Sequence, residues 1–296
     1  MKVNVLIVLL LLAAMGYSQS PAGPTSAEMS KQLVEAYRSG DLDSAEKIGI
    51  AALALAIETK GKGSSEAAAS YSNLGIVYKD KESYSKASEN FEQAILIYEN
   101  LGQKIELAAI YQLLGVVEFR DRHEKRSESA YLKALELLDE QFGSDNKESL
   151  DAALSLANLY GFQKKYEESD KLYIRAYRAV KKNFTETDKW MEKIQDSRTC
   201  SQVYMPMSSR EKNEKRFNSD FESIFGKPKN AEDVVNGKAL SLPAPYYPAE
   251  FRARRIAGVV VIGIEIDTDG NVAKTRVICG HPALGKTSEA AARKAK

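Results

Sequence analysis

The feature that most constrains this chain is a self-similarity with a period near 42 residues. Leu42, Ala45, Gly49 and Ala52 return as Tyr84, Ala87, Phe91 and Ala94. They return again as Glu124, Ser127, Tyr131 and Ala134, and finally as Tyr166, Ser169, Tyr173 and Ala176. The steps are 42, 40 and 42 residues, and Leu74-Gly75, Leu114-Gly115 and Leu156-Ala157 move with them. A fixed period of this size marks a repeat array. Within each copy apolar residues recur at spacings of three and four on two consecutive segments, the pattern of an amphipathic helix pair. Polar breaks at Arg38–Asp41, Asp80–Ser83, Asp121–His123 and Gln163–Lys165 supply the turns. One pair cannot bury its apolar face alone, so the pairs are expected to stack into a solenoid. Small residues (Gly75, Gly115, Ala157, Ala87, Ser127, Ser169) fall where the two helices must approach closely. The larger Tyr78, Phe91, Tyr131, Tyr160 and Tyr173 are expected to fill the space between neighbouring hairpins.

The stretch Leu156-Ala157-Asn158-Leu159-Tyr160, followed by Lys165–Ser169 and Leu172–Ala176, resembles the tetratricopeptide repeat in the long-loop form of kinesin light chains. The resemblance covers 26–184 as four copies. It implies a groove, lined by the first helix of each pair, that takes a peptide or extended segment of a protein partner. The groove positions implied are Ser72, Ile76, Lys79, Gln112, Val116, Phe119, Leu154 and Asn158. Chaperone-type members of that family carry a Lys and Asn clamp for a terminal carboxylate. Ser72 and Ile76 stand in those places, so a carboxylate-clamped partner is not expected. The first copy is one residue shorter between its first helix and its turn and reads as a cap.

The periodicity fades across 185–236. Thr187–Arg198, with the only tryptophan at Trp190, reads as a helix capping the array. Cys200–Asn230 is polar, mixed in charge and broken at Met205–Ser209, and reads as a linker. From 237 to 296 the grammar changes again. Pro243, Pro245 and Pro248 favour an extended approach around Tyr246-Tyr247. Val260, Ile262, Ile264 and Ile266 alternate with Val259, Val261, Gly263, Glu265 and Asp267, the pattern of a half-buried strand. Thr268-Asp269-Gly270-Asn271 is a hairpin turn, Val272–Cys279 the returning strand, and Ala283–Lys296 a helix expected to pack on the hairpin.

The order and spacing of several residues in this segment resemble the C-terminal domain of TonB, which couples inner-membrane energy to outer-membrane receptors. They are Tyr247-Pro248, Arg252, Gly258–Val261, Ile266-Asp267, Asp269–Val272, Val277, Gly280-His281-Pro282 and Ala290–Ala292. In that family the domain recruits a receptor segment by strand addition, which implies an envelope protein as partner here. The family domain continues past its second helix into a final strand. The sequence to Lys296 lies within that helix, so the expected module is incomplete, with its last strand missing. The fold class expected for the whole chain is mainly α, a helix-hairpin solenoid followed by this small α+β module.

The first residues read as a targeting segment. Met1-Lys2 is a basic start, Val5–Met15 an uninterrupted apolar run, and Gly16-Tyr17-Ser18 offers small residues before a cut at Gln19. Eleven apolar residues rise about 16 Å as a helix against a ~30 Å hydrocarbon core. A cleaved signal peptide over 1–18 is therefore expected, with retention as an anchor the competing reading. The implied destination is the periplasm or cell envelope, the bacterial setting following from the TonB resemblance. Two cysteines, Cys200 and Cys279, do not make a disulfide framework, and two unpaired thiols are expected although export permits a bridge.

Charge excludes other classes. Lys and Arg total 42 against 41 Asp and Glu, so no global field favours nucleic acid. The balance is −4 over 26–184 and +5 over 237–296, consistent with two modules of different surface. His123 lies in a repeat turn, where it is expected to be solvated. Cys279-Gly280-His281 offers at most two metal ligands, and Gly61-Lys62-Gly63 lacks the spacing of a phosphate loop. No nucleophile, base and orienting group can be assembled, so no catalytic residue, cofactor or metal is expected. The expectation is a non-catalytic scaffold with one partner in the repeats and a second on the C-terminal module. A divergent or auxiliary TonB-type energy transducer for receptor-mediated transport is the alternative.

Overall fold

Four residues with left-handed backbone mark the turns inside the helix pairs: Gly40 (φ 84°), Glu82 (58°), Arg122 (64°) and Lys164 (62°). They are spaced by the same 42, 40 and 42 residues as the sequence repeat. At each, the chain closes the preceding helix with a long backbone hydrogen bond. These run from the amides of Asp41, Ser83, His123 and Lys165 to the carbonyls of Ala36, Tyr78, Glu118 and Tyr160. Such a bond needs the left-handed step, because only then can the reversing chain reach the helix's unpaired carbonyls. The computed structural model in which these turns are seen describes residues 24–185, 188–203, 205–225, 241 and 243–295. The expected signal peptide at 1–18 lies outside the described residues, as does 226–240. The chain divides into two compact units that meet in sequence between Leu159 and Tyr160.

In the first unit, helices α1 (Ser26–Arg38), α2 (Leu42–Lys60), α3 (Ser65–Asp80), α4 (Tyr84–Leu101), α5 (Lys104–Arg120) and α6 (Glu124–Phe142) precede α7, which begins at Leu150. Pairs α1/α2, α3/α4 and α5/α6 are antiparallel hairpins. α2 meets α3 and α4 meets α5, so the hairpins stack. Three of these helices start where a side chain takes up a free amide. Thr25 and Glu28 form a reciprocal box before α1, Asp41 accepts from Ser44 N, and Ser64 accepts from Ala67 N.

The helices of a hairpin touch at their small residues. A Cβ built on Gly115 would lie 2.6 Å from the Tyr131 ring, and one on Gly75 would penetrate the Phe91 ring. Phe91 and Tyr131 thus pack across their own hairpin, where the sequence pattern had suggested filler between hairpins. Tyr131 also reaches the next pair, since its hydroxyl bonds to Ser155 of α7. His123 is 51% exposed, as expected of a turn residue, and it has a partner that the sequence did not show. Its Nδ1 lies 3.0 Å from Oε2 of Glu118, a buried carboxylate that also accepts from Ser88 Oγ at 2.6 Å. The turn places the imidazole directly beside the carboxylate it closes over.

The second unit contains the end of α7 (to Phe162), α8 (Tyr166–Asn183), α9 (Asp188–Ser201) and α10 (Met207–Phe225). α10 corrects the linker expected over Cys200–Asn230. Its polar composition hides Phe217, Phe221 and Phe225 at four-residue spacing, and all three ring edges meet Tyr177 of α8 at 4.9–6.1 Å. A buried ion pair seals the contact: Arg198 of α9 donates to Asp170 of α8 at 2.7 Å and reaches Glu214 of α10 at 3.1 Å. Its guanidinium also lies 3.6 Å from the centre of the Phe217 ring.

The module follows as α11 (Ala249–Ala253), β1 (Val261–Ile266), β2 (Val272–Cys279) and α12 (Pro282–Ala292). β1 and β2 pair antiparallel, with Ile262 opposite Val277 and Ile264 opposite Thr275. The Asp267 carboxylate accepts the amides of Asp269 and Asn271 to hold the turn. α12 covers part of one face, where Thr275 bonds to Glu289 at 2.9 Å and Val277 faces Gly285. The expected half-burial of the apolar strand face is only partly met: Ile264 and Ile266 are 46% and 54% exposed, because α12 covers only the neighbouring part of that face. Cys200 and Cys279 are joined in a disulfide, which overturns the expectation of two free thiols. The fold brings their Cα atoms to 5.9 Å across a sequence separation of 79.

Three outcomes test the array. Gly40→Ala, at a position with no atoms near the new methyl, lowers stability by about 1–2 kcal/mol through backbone strain alone. Gly115→Ala costs about 1–3 kcal/mol by overpacking and costs less in a Tyr131→Leu background, measured by urea denaturation. The Lys81 ammonium hydrogen bond holds the Glu46 carboxyl below its usual value. A depressed folded value stabilises above the unfolded value, about 4.3, and that gain is lost as pH falls through the folded value. The stability difference between the natural chain and Glu46→Gln therefore persists at neutral pH and fades in acid, as pH-dependent melting will show.

Candidate partner-binding surfaces

In the first unit, first helices α1, α3 and α5 lie side by side, since α3 touches both of the others. On α3 the residues Ala69, Asn73, Ile76 and Asp80 recur at helical spacing and are all half-buried or exposed. On α5 the same register gives Ala109, Leu113, Val116 and Arg120. These two stripes form the accessible side of the array. They include the expected Ile76 and Val116, and the expected Lys79, Gln112 and Phe119 flank them, half-buried. Asn158, on α7, is exposed.

Ser72 and Leu154 do not belong to that surface: they are 8% and 5% exposed. Ser72 turns inward because its hydroxyl donates to Ala68 O at 2.8 Å and bonds to the hydroxyl of buried Tyr98 on α4. Asn73, one residue on, takes the open position. The period gives each helix's phase, but a shift of one position needs the identity of the packing partner.

Polar groups around the stripes are held by their neighbours. Tyr37 of α1 donates to Asp80 of α3, and Lys79 lies 2.5 Å from the same carboxylate. Burial, reinforced by the Asp80 contact, pushes the Tyr37 hydroxyl well above the usual phenol range. Burial raises Tyr98 to about 12. Both phenols are neutral throughout the physiological range. The stripes therefore offer apolar side chains (Ile76, Leu113, Val116) between small and amide positions, with Lys79 neutralised by Asp80. That suits a chain segment carrying apolar side chains better than a free anion.

In the second unit the module offers two features. One is the uncovered part of the strand face, with Ile264 and Ile266 exposed beside strands that pair only with each other among the described residues. The other is a cleft of about 350 Å³ between the Tyr246-Tyr247 approach, Gly258, Val260 and the Leu284–Ser288 turn of α12. Tyr247 is fixed there by a hydroxyl bond to Ile256 O, whereas Tyr246 is 74% exposed. Among the described residues, no cluster of three His, Cys, Asp or Glu is arranged to hold a metal, and no helix is long and apolar enough to cross a membrane.

Comparison with known proteins agrees with this geometry. Residues 27–100 match the tetratricopeptide repeat family model, and residues 243–296 match that of the Gram-negative bacterial TonB protein C-terminal. The crystal structure of BtubC (BKLC) from P. vanneervenii is 19% identical with a TM-score of 0.53, over 71% of this chain and 86% of that one. A putative kinesin light chain from Podosopora anserina with nearly identical TPR-like repeats is 14% identical with a TM-score of 0.54, over 69% and 96%. A variant form of that light chain is 11% identical with a TM-score of 0.53, over 67% and 95%. At these identities the likeness is one of fold. No curated protein matches the chain. The architecture is therefore a kinesin light chain-like tetratricopeptide solenoid followed by a small TonB C-terminal-type module.

The placement of the stripes is tested by stability alone. Val116→Asp changes stability by less than about 1 kcal/mol, because the side chain reaches solvent. Leu154→Asp costs more than about 3 kcal/mol, because it buries an unpaired carboxylate. Equal losses in denaturant titration would displace the stripe from this face.

Proposed function

We propose that this chain is an exported scaffold of the bacterial cell envelope. Its repeats hold an extended segment of one protein along the first-helix stripes, and its module meets a second envelope protein. The observation that carries this reading is the joining, in one chain, of a tetratricopeptide array and a TonB C-terminal-type module, two architectures suited to holding other proteins. Concave repeat surfaces are used in this way through many small side-chain contacts. Ile76 and Val116, half-buried in equivalent positions of successive copies, are suited to alternate apolar side chains of an extended chain. Exposed Ile264 and Ile266, beside strands that pair only with each other among the described residues, are suited to a partner that adds a strand or covers the face.

Export is supported by two independent features. The basic start and apolar run of 1–18 have the layout of a signal peptide. The Cys200–Cys279 bond belongs to an oxidising compartment rather than to a reducing cytosol.

The test is site-specific photocrosslinking in envelope preparations, with crosslinkers placed at Val116 and at Ile266 of the full chain. Two different adducts are expected. The Val116 adduct is lost on Ile76→Asp, and the Ile266 adduct is lost on Ile264→Asp, with each variant leaving the other adduct intact. No adduct at either position, or a single adduct abolished equally by both variants, would sink the proposal.

A further inference from the structure

α9 is a helix with two working faces. One carries Ile194 and Arg198 and runs on to Gln202 just past the helix end, all three buried, with Arg198 and Gln202 bonded to Asp170 of α8. The other carries Glu192, Asp196 and Cys200, spaced by four residues and so aligned in a single stripe. Each residue of that stripe meets β2. Arg276 lies 3.0 Å from Glu192 Oε1 and 3.0 Å from Asp196 Oδ1, and Cys279 is bonded to Cys200.

The β2 face involved is the one turned away from α12. Thr275 and Val277 point to α12, whereas Arg276 points to α9. Gly263, opposite Arg276 on β1, leaves room on this second face for Ile278, whose Cδ1 would lie 3.2 Å from a Cβ at that position. The strand is thus held between two helices by bonds of different kinds. Contact with α12 is hydrogen-bonded and apolar. Contact with α9 includes one covalent bond and an ion-pair fork whose members remain partly in solvent, Arg276 at 49%, Asp196 at 24% and Glu192 at 57% exposed. Exposed pairs of this sort are weak and are screened by salt.

We propose that Cys200–Cys279 is a redox latch. Oxidised, it locks the second face of the module's strand onto α9. Reduced, it removes the covalent tie, the salt-screened Arg276 fork does not hold the strand by itself, and the folded module comes away from α9. The reductant is a small or protein dithiol, and both cysteines are half-buried rather than sealed. Its thiolate attacks one cysteine sulfur, the S–S bond breaks, and the other cysteine leaves as a thiolate that takes up a proton. The second thiol of the dithiol then displaces the first cysteine from the mixed disulfide. Two electrons and two protons pass to the protein, giving two thiols, and the dithiol becomes a disulfide. Arg276, held by Glu192 and Asp196 of α9 in the latched state, is then released to solvent. The inference is independent of the proposed function, because it concerns contacts within the chain.

The test is nitrogen-15 relaxation on the full chain, oxidised, treated with dithiothreitol, and as the Cys200→Ser/Cys279→Ser variant, at about 0.05 M and 0.5 M salt. In the oxidised chain the amides of β1, β2 and α12 share the correlation time of α8–α10 at both salts. In the reduced chain and the double variant, at the higher salt, the module's correlation time falls at least about twofold, as expected for a small unit that tumbles on its own. Its strand chemical shifts stay dispersed. Arg276→Ala in the reduced chain brings that fall to the lower salt. A shared correlation time in the reduced chain at 0.5 M salt overturns the latch. So does collapse of the strand dispersion on reduction, which would make the bond a staple of the module's own fold.

Discussion

The array depends on how closely two helices of a hairpin can approach. Gly115 lies against the Tyr131 ring, and Gly75 lies under Phe91. A ring packed on bare backbone brings the helices together and leaves no space for a methyl group. The turns enforce this contact, since a left-handed residue at each one reverses the chain within a few residues. In three of the four turns that residue is Glu, Arg or Lys, so backbone strain is accepted there instead of being relieved by glycine. Aromatic packing repeated along the array offsets it.

The first helices are left with one accessible side as a result. Their buried sides are committed to their own hairpin and to the neighbouring one, and what remains is a narrow stripe per helix. Small shifts in packing decide its membership. Ser72 is drawn inward by Tyr98, and Asn73 stands in the open in its place. At the other end of the chain, α9 joins two structures with different surfaces by dividing its own residues between them. Arg198 serves the helical side through a buried and fully engaged ion pair, whose disruption would leave a charge stranded. Glu192, Asp196 and Cys200 serve the strand side, where the charges are solvated and the strength lies in one covalent bond.

Much of this was legible in the residues. The repeat period, the helix pairs, the turn positions and the β-hairpin around Asp269-Gly270 follow from local chemistry: apolar spacing, small residues and turn formers. α10 was missed although Phe217, Phe221 and Phe225 carry a helical signal, because the charged residues around them masked an apolar stripe only one residue wide. The exposure of Ile264 and Ile266 could not be read from alternation, which defines a face but not what covers it.

The sequence by itself determined the elements and their order, because helix phase, turn geometry and strand alternation depend on neighbours a few positions away. Only the tertiary structure decided which members of a repeat position face outward, that His123 rests on a buried Glu118, and that Cys200 meets Cys279. Those outcomes depend on atoms brought together from distant parts of the chain, and no local pattern encodes the distance between them.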